Sequence, residues 1–264
     1  MITSQHNIVW MAVAALLLFL LPLAVALFWK YRQSAKVSWQ AILLGAAGFI
    51  VSARVLEVIP HAFCIILDNP VSQFINGHTW AYVIYGVTMA GLFEELGRYL
   101  IIGKVMKRNK TRENMVFYGI GHGGIEVWSV VLPVIMVCIA VSFSPDMQAS
   151  APEQILESAA TFDGEMAALM VYERIVAMMV HVALTIVVAY SFFSSKKIYL
   201  FLAIALHMIF DIAPALYQRG VCSMAVCEIC ITLCVIPAAL FAISLYKKMK
   251  VEPEPECQMN PNNN

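Results

Sequence analysis

Long apolar stretches, broken by short polar or charged segments, run along nearly the whole chain. A helix needs about 20 apolar residues to cross the hydrocarbon core of a bilayer. Stretches of that length fall at 8–28, 38–60, 79–103, 115–143, 166–193, 198–217 and 222–246. The pattern predicts an all-α polytopic membrane protein of seven transmembrane helices, forming a single domain over residues 1–250. No positive charge precedes the first stretch, and its apolar run exceeds a signal-peptide core, so it reads as a retained helix. The segment after Lys250, VEPEPECQMNPNNN, has little to bury and reads as a disordered cytoplasmic tail over 251–264. No internal repeat of a transporter's kind stands out, and seven helices do not divide into equal halves.

Composition sharpens this picture by exclusion. Of 264 residues 61% are hydrophobic and 13% charged, with a mean hydropathy of +0.78, which rules out a water-soluble fold. Net charge is zero and no long basic run is present, so the footprint of nucleic-acid binding is missing. The charges that remain are unevenly placed. Alternate loops carry Lys30, Arg32 and Lys36, then Lys104, Lys107, Arg108, Lys110 and Arg112, then Lys196 and Lys197, then Lys247, Lys248 and Lys250, which is 13 of the 17 basic residues. The loop between the fourth and fifth stretches holds Asp146, Glu153, Glu157 and Asp163 and no basic residue, and Arg219 is the lone cation of an opposite loop. Positive charge is retained on the cytoplasmic side, so the N-terminus is expected outside and the C-terminus inside. The seven cysteines lack the spacing of a zinc knuckle or a secreted disulfide framework. Cys227, Cys230 and Cys234 share one helix stripe and read as small packing residues, while Cys64 and Cys222, both in loops placed outside, leave a disulfide open.

Ionisable residues inside the apolar stretches are the next signal, because each costs about 2.5 to 3.5 kcal/mol at the bilayer centre on insertion scales. Arg54, Glu57, Glu94, Glu95, Arg98, His122, Glu126, Glu173, Arg174, His181, His207 and Asp211 all fall within predicted spans. Residues four apart share a helix face, and Glu94 with Arg98, His122 with Glu126 and His207 with Asp211 obey that spacing. At 1.5 Å per residue, Glu94, His122, Glu126, His181, His207 and Asp211 lie about 10 to 20 Å from their cytoplasmic helix ends. Four helices therefore aim imidazoles or carboxylates at one layer, from the cytoplasmic half to the midplane. Arg54 with Glu57 and Glu173 with Arg174 read as helix-contact ion pairs, and His6, His61 and His78 as solvated residues near the outer surface. The glycines at 119, 121, 123 and 124 around His122 let that helix approach a neighbour closely.

Imidazole and carboxylate together form a zinc ligand set, and catalytic zinc uses three protein ligands with a fourth position for water. His122, Glu126, His181, His207 and Asp211 are the candidate metal ligands. A carboxylate beside the held water can take its proton, and an arginine can orient that carboxylate or stabilise an oxyanion. Glu94, Glu95 and Arg98 supply those groups within one turn.

The run Glu94-Glu95-Leu96-Gly97-Arg98, followed by YGIGHGGIE at 118–126, ERIVAMMVH at 173–181 and HMIFD at 207–211, resembles the YhfC family of intramembrane metalloproteases. More distantly it is similar to the CAAX-protease/bacteriocin-processing and PrsW membrane proteases, with their Glu-Glu-x-x-x-Arg or Glu-Glu-x-x-Lys, Phe-x-x-x-His or Phe-x-x-x-Glu, and His-x-x-x-Asn/Asp motifs. The resemblance implies a metal-dependent intramembrane peptidase in a bacterial plasma membrane. It implies Glu94 as the water-activating base, Glu95 as its support or a metal contact, and Arg98 as the group steadying both. His122 takes the place of the second motif's histidine, with Tyr118 in the aromatic position, and Glu126 is an extra carboxylate one turn on. His207 and Asp211 match the last motif, and His181 is a further ligand without counterpart in the distant families. One departure is the Glu-Glu-x-x-Arg spacing, a residue shorter than the CAAX type, which turns Arg98 by about 100° round its helix.

The expected activity is hydrolysis of a membrane-embedded or membrane-proximal peptide, through a divalent metal, expected to be zinc, and an activated water, at a site reached from the cytoplasmic half. Its partners are then a membrane peptide or protein substrate and the lipid bilayer. Two alternatives stay open: a proton-coupled or cation transporter, since buried carboxylates and histidines also make relays, and a protease-like scaffold that binds without cleaving.

Overall fold

The computed structural model describes residues 3–107 and 109–249. Arg108, Lys250 and the expected disordered tail lie outside the described residues. Among the described residues ten helices follow one another: α1 (Gln5–Lys36), α2 (Trp39–Ile66), α3 (Pro70–Gly77), α4 (Thr79–Leu100), α5 (Arg112–Phe143), α6 (Pro145–Ser150), α7 (Glu153–Thr161), α8 (Gly164–Phe193), α9 (Ile198–Gln218) and α10 (Met224–Lys248). Among the described residues there is no strand. The protein is a polytopic all-α membrane protein.

Six of the helices, α1, α2, α5, α8, α9 and α10, are long and apolar enough to cross a bilayer. The remaining expected span is α4, whose 22 residues reach about 33 Å but carry Glu94, Glu95 and Arg98 in their last third. The segment between α5 and α8, expected as one acidic loop, folds into the two short helices α6 and α7.

Local chemistry sets the boundaries. Ser4, Asn69, Thr111, Asp163 and Ser223 each stand just before a helix and accept a backbone N–H of its first turn, as N-caps do. Asn69 and Ser72 form a reciprocal capping box around Pro70. Lys30 donates to the carbonyls of Ser34 and Val37, at 2.8 and 2.7 Å, where α1 ends. π-helical turns at Ile50–Leu56 and Val127–Val131 precede Pro60 and Pro133, and the proline lacks the N–H that would continue regular α bonding.

Helix α8 is the axis of the bundle: 67% of its apolar window is buried, against 28 to 33% for the other five candidate spans. It packs against α5, α9, α10 and α1, while α2 lies along α5 and α4 along α9. Outward-facing Leu16, Leu27, Leu43, Ile84, Leu233 and Leu240 form the surface a bilayer would solvate. Lipid is as apolar as leucine, so these helices are held by close packing rather than by the hydrophobic effect. The glycines of α5 show how. A side chain at Gly121 would fall on the Ile42 carbonyl of α2, one at Gly119 would sit 2.7 Å from Val182 Cα of α8, and one at Gly124 would sit 2.9 Å from Pro22 of α1. Three neighbours thus close on one turn, and His122 stands in the middle of it.

The bundle has a basic end and an acidic end. Trp29 Nε1 donates to the Glu113 carbonyl and Asn114 accepts from the Ser38 N–H, joining the α1–α2 and α4–α5 connections at the basic end. At the acidic end Asn7 donates to the Ala160 carbonyl, Tyr82 to Gln218 and Arg219 to the Asn76 carbonyl. Cys64 and Cys222, left open above as a disulfide, are both free thiols.

Candidate metal centre

Glu94 on α4, His122 on α5 and His181 on α8 meet in the interior, each offering one donor atom within 4.8 Å of the other two. His122 is wholly buried, and its Nε2 lies 2.8 Å from Glu94 Oε2. His181 Nδ1 lies 3.9 Å from the same oxygen. Ligands about 2.0 Å from a tetrahedral zinc lie about 3.3 Å from one another, a value between these two separations. Two imidazoles and one carboxylate also make a known zinc donor set that leaves a fourth position.

The surroundings of His181 fix which nitrogen can bind. Its Nε2 meets Glu126 Oε2 in a short contact, and Glu126 is itself paired with Arg174 at 2.8 Å. With Nε2 engaged by Glu126, Nδ1 is the nitrogen that faces Glu94. A carboxylate behind a ligating histidine is the usual support of a metal site. Arg174 also pairs with Glu173, its sequence neighbour, as expected.

Arg98 ties α4 to α8. Its Nη1 donates to the His181 carbonyl at 2.9 Å and to Thr185 Oγ1 at 3.0 Å, and its Nη2 lies 3.3 Å from His181 Nδ1, 3.4 Å from Glu95 Oε1 and 4.0 Å from Glu94 Oε2. The shorter motif spacing therefore still brings Arg98 to both carboxylates. Glu95, wholly buried, meets His207 Nδ1 at 2.7 Å, and His207 Nε2 lies 3.4 Å from Asp211.

Of the residues expected as ligands, His122 and His181 converge with Glu94. Glu126 stands behind His181, and His207 with Asp211 stands behind Glu95. The His181 and His207 ring centres are 6.0 Å apart. Four buried polar atoms at this junction have no hydrogen-bond partner: Glu95 Oε2, Arg98 Nε, Tyr118 Oη and His122 Nδ1. Native interiors leave few such atoms, and a cluster of them marks a place completed by an ion or by water. The donor set, its spacing and these orphaned atoms fit a divalent metal.

Elsewhere the pairings differ from expectation. Glu57 pairs with His61 Nε2 at 3.2 Å rather than with Arg54, and His61 Nδ1 bonds Tyr85 Oη at 2.9 Å, so this histidine, a third exposed, is held by two partners. The Glu57–His61 spacing of four residues was a signal for that pair. Glu228 on α10 was passed over; it is buried with one oxygen unpartnered, and a lone carboxylate four residues into an apolar run was the available clue.

Comparison with known proteins points the same way as the geometry. The pattern of the family described as YhfC intramembrane metalloprotease matches residues 17–231. The chain is 28% identical over 260 residues to the uncharacterized membrane protein YhfC of Bacillus subtilis (strain 168), covering 94% of this chain and 98% of that protein. No solved structure matches.

Proposed function

The chain belongs to the YhfC intramembrane metalloprotease family, and on that premise we propose that it is a metal-dependent peptidase of a bacterial plasma membrane, cleaving a membrane-embedded or membrane-proximal peptide. The observation that carries the reading is the convergence of Glu94, His122 and His181 from three helices upon one buried point. These three residues would hold a divalent ion, zinc by donor type. When bound, that ion supplies Lewis acidity toward water and the substrate carbonyl.

The chain's own groups divide the remaining work. With Glu94 drawn into the ligand set, Glu95 is the proton acceptor: Arg98 and His207 hold its Oε1, and its Oε2 is unpartnered. Water oxygen joins the peptide carbonyl carbon, its proton passes to Glu95, and the C–N bond breaks as that proton reaches the leaving amine. Arg98 is a positioning residue, since its guanidinium fixes both carboxylates and the His181 backbone. Thr185 holds Arg98 in turn.

Metal content per chain, measured on detergent-purified protein, tests this. Wild type should carry one equivalent, and a folded His122→Ala, His181→Ala double variant should carry none. A folded wild-type protein without divalent metal, or with metal undiminished in the variant, sinks the reading. The string of ionisable groups from Asp211 to Glu126 is what a cation-transport reading would rest on, and ion flux in sealed proteoliposomes that survives loss of the metal would favour it.

A further inference from the structure

A hydrolase whose reacting groups are buried among helices needs a path for water, and a cavity borders Asp211, at the outer edge of this cluster. It occupies about 230 Å³ between the end of α2, the first half of α4 and the second half of α9. Its polar wall is His61, Tyr82, Tyr85, Asp211 and Gln218, with Gly86 opposite. Tyr82 and Gln218 stand near helix ends at the acidic end of the bundle, and Gln218 is exposed. Asp211 forms the floor, seven residues and so about 10 Å in from the end of α9.

Exposure falls sharply along this line. The Asp211 side chain is 34% exposed, His207 behind it 4% and Glu95 behind that 0%. A carboxylate a third exposed at this depth would be costly in hydrocarbon, so what it faces is water. The side toward the basic end differs in kind: a cavity of about 630 Å³ lies there between α1, α5, α8 and α10, but no carboxylate or imidazole lines it, and Ile102, Met106, Met115, Phe117 and Tyr118, between the cluster and that end, are essentially inaccessible. Gly86 adds an independent sign. It sits within α4, where glycine is unfavourable relative to alanine, yet a side chain built there meets nothing within 4 Å. The space beside it is part of the cavity.

We propose that this vestibule is a water-filled entry, open at the acidic end of the bundle, through which water as co-substrate reaches Asp211 and the metal centre beyond it. The inference deepens the peptidase reading by naming the route of its second substrate. For water it takes the side opposite to the expected approach from the cytoplasmic half, because the cavity on the side that the charge distribution assigns to the cytoplasm brings no carboxylate or imidazole to its wall.

A charged, membrane-impermeant thiol reagent, applied to either side of oriented vesicles and mapped position by position, tests it. Gly86→Cys puts a thiol in the vestibule, and Ile84→Cys puts one at similar depth on the lipid-facing side of α4. Ser150→Cys and Ser195→Cys mark the acidic and basic ends. Thiols react as thiolates, which hydrocarbon does not support, so the Gly86→Cys thiol should react at least about 100-fold faster than the Ile84→Cys thiol. It should do so from the side that labels Ser150→Cys. Ala215→Cys, on the same cavity wall, should behave alike and serves if the first variant does not fold. Reaction no faster than at Ile84→Cys, or only from the Ser195→Cys side, overturns the vestibule. Labelling does not require metal, so a chain that labels as expected but binds no metal keeps the vestibule and loses the peptidase reading.

Discussion

Two turns of this molecule carry the same spacing of histidine and acid, and they use it differently. On α5, His122 and Glu126 part company: the imidazole meets Glu94 of α4, while the carboxylate meets His181 and Arg174 of α8. On α9, His207 and Asp211 remain together at 3.4 Å, and His207 reaches back to Glu95. The difference lies in what stands opposite. Glycines pull α2, α8 and α1 onto the α5 turn, so each polar group there is claimed by a different helix. The α9 turn borders the vestibule on one side, and Asp211 has water to face. Spacing along a helix sets which side chains share a face, and packing across it decides their partners.

The strongest way to break this contrast is to separate the helices that crowd α5. Gly121→Ala would drive a methyl onto the Ile42 carbonyl, a backbone atom that cannot yield cheaply, and should cost about 3 kcal/mol. Gly91→Ala, at the crossing of α4 with α9, meets Met208 Cγ at 3.0 Å and the Ile204 carbonyl at 3.1 Å and should cost clearly less. Thermal unfolding of both variants in one detergent checks the order. At the chemical level, His122→Ala should abolish stoichiometric metal, while His207→Ala, which removes a group behind Glu95, should weaken metal binding by no more than about 10- to 100-fold. Competition with a chelator of known affinity distinguishes the two, and equal losses would place His207 among the ligands.

Much of this was legible beforehand, for physical reasons. Apolar length marked seven stretches, six of which form helices long and apolar enough to span, and the cost of charge in a bilayer singled out Glu94, Glu95, Arg98, His122, His181 and His207, all of which are buried at one junction. The division of labour among them was not legible. Glu94 reads as a base from its motif, but whether it stands among the imidazoles depends on how α4 is rotated against α5, which no single-helix pattern encodes. The tie between His61 and Tyr85 was not legible either, because the two are 24 residues apart on different helices. The helices α6 and α7, expected as one acidic loop, escaped because neither has the apolar length by which the spans were read.

A finer contrast sets the supports of the two turns against each other. Glu126→Gln removes the charge behind His181 and should lower metal affinity about 10- to 100-fold. Asp211→Asn alters a group that is a third exposed and 3.4 Å from a histidine outside the three-donor cluster, so its effect should be smaller than that of Glu126→Gln. The same chelator competition measures both, and a larger loss for Asp211→Asn would invert the assignment of the two turns.

The smallest effect expected has the opposite sign to the first. Gly86→Ala adds the same methyl group as Gly121→Ala, but into open space inside a helix. Replacing a mid-helix glycine by alanine without a clash stabilises by about 0.5 to 1 kcal/mol. A modest rise in unfolding temperature is therefore expected at Gly86, against a large fall at Gly121, although both glycines lie on helices that carry the site. If both substitutions destabilise, the space beside Gly86 is occupied by protein in the folded state, and the distinction between a packed α5 turn and an open α9 turn fails with it.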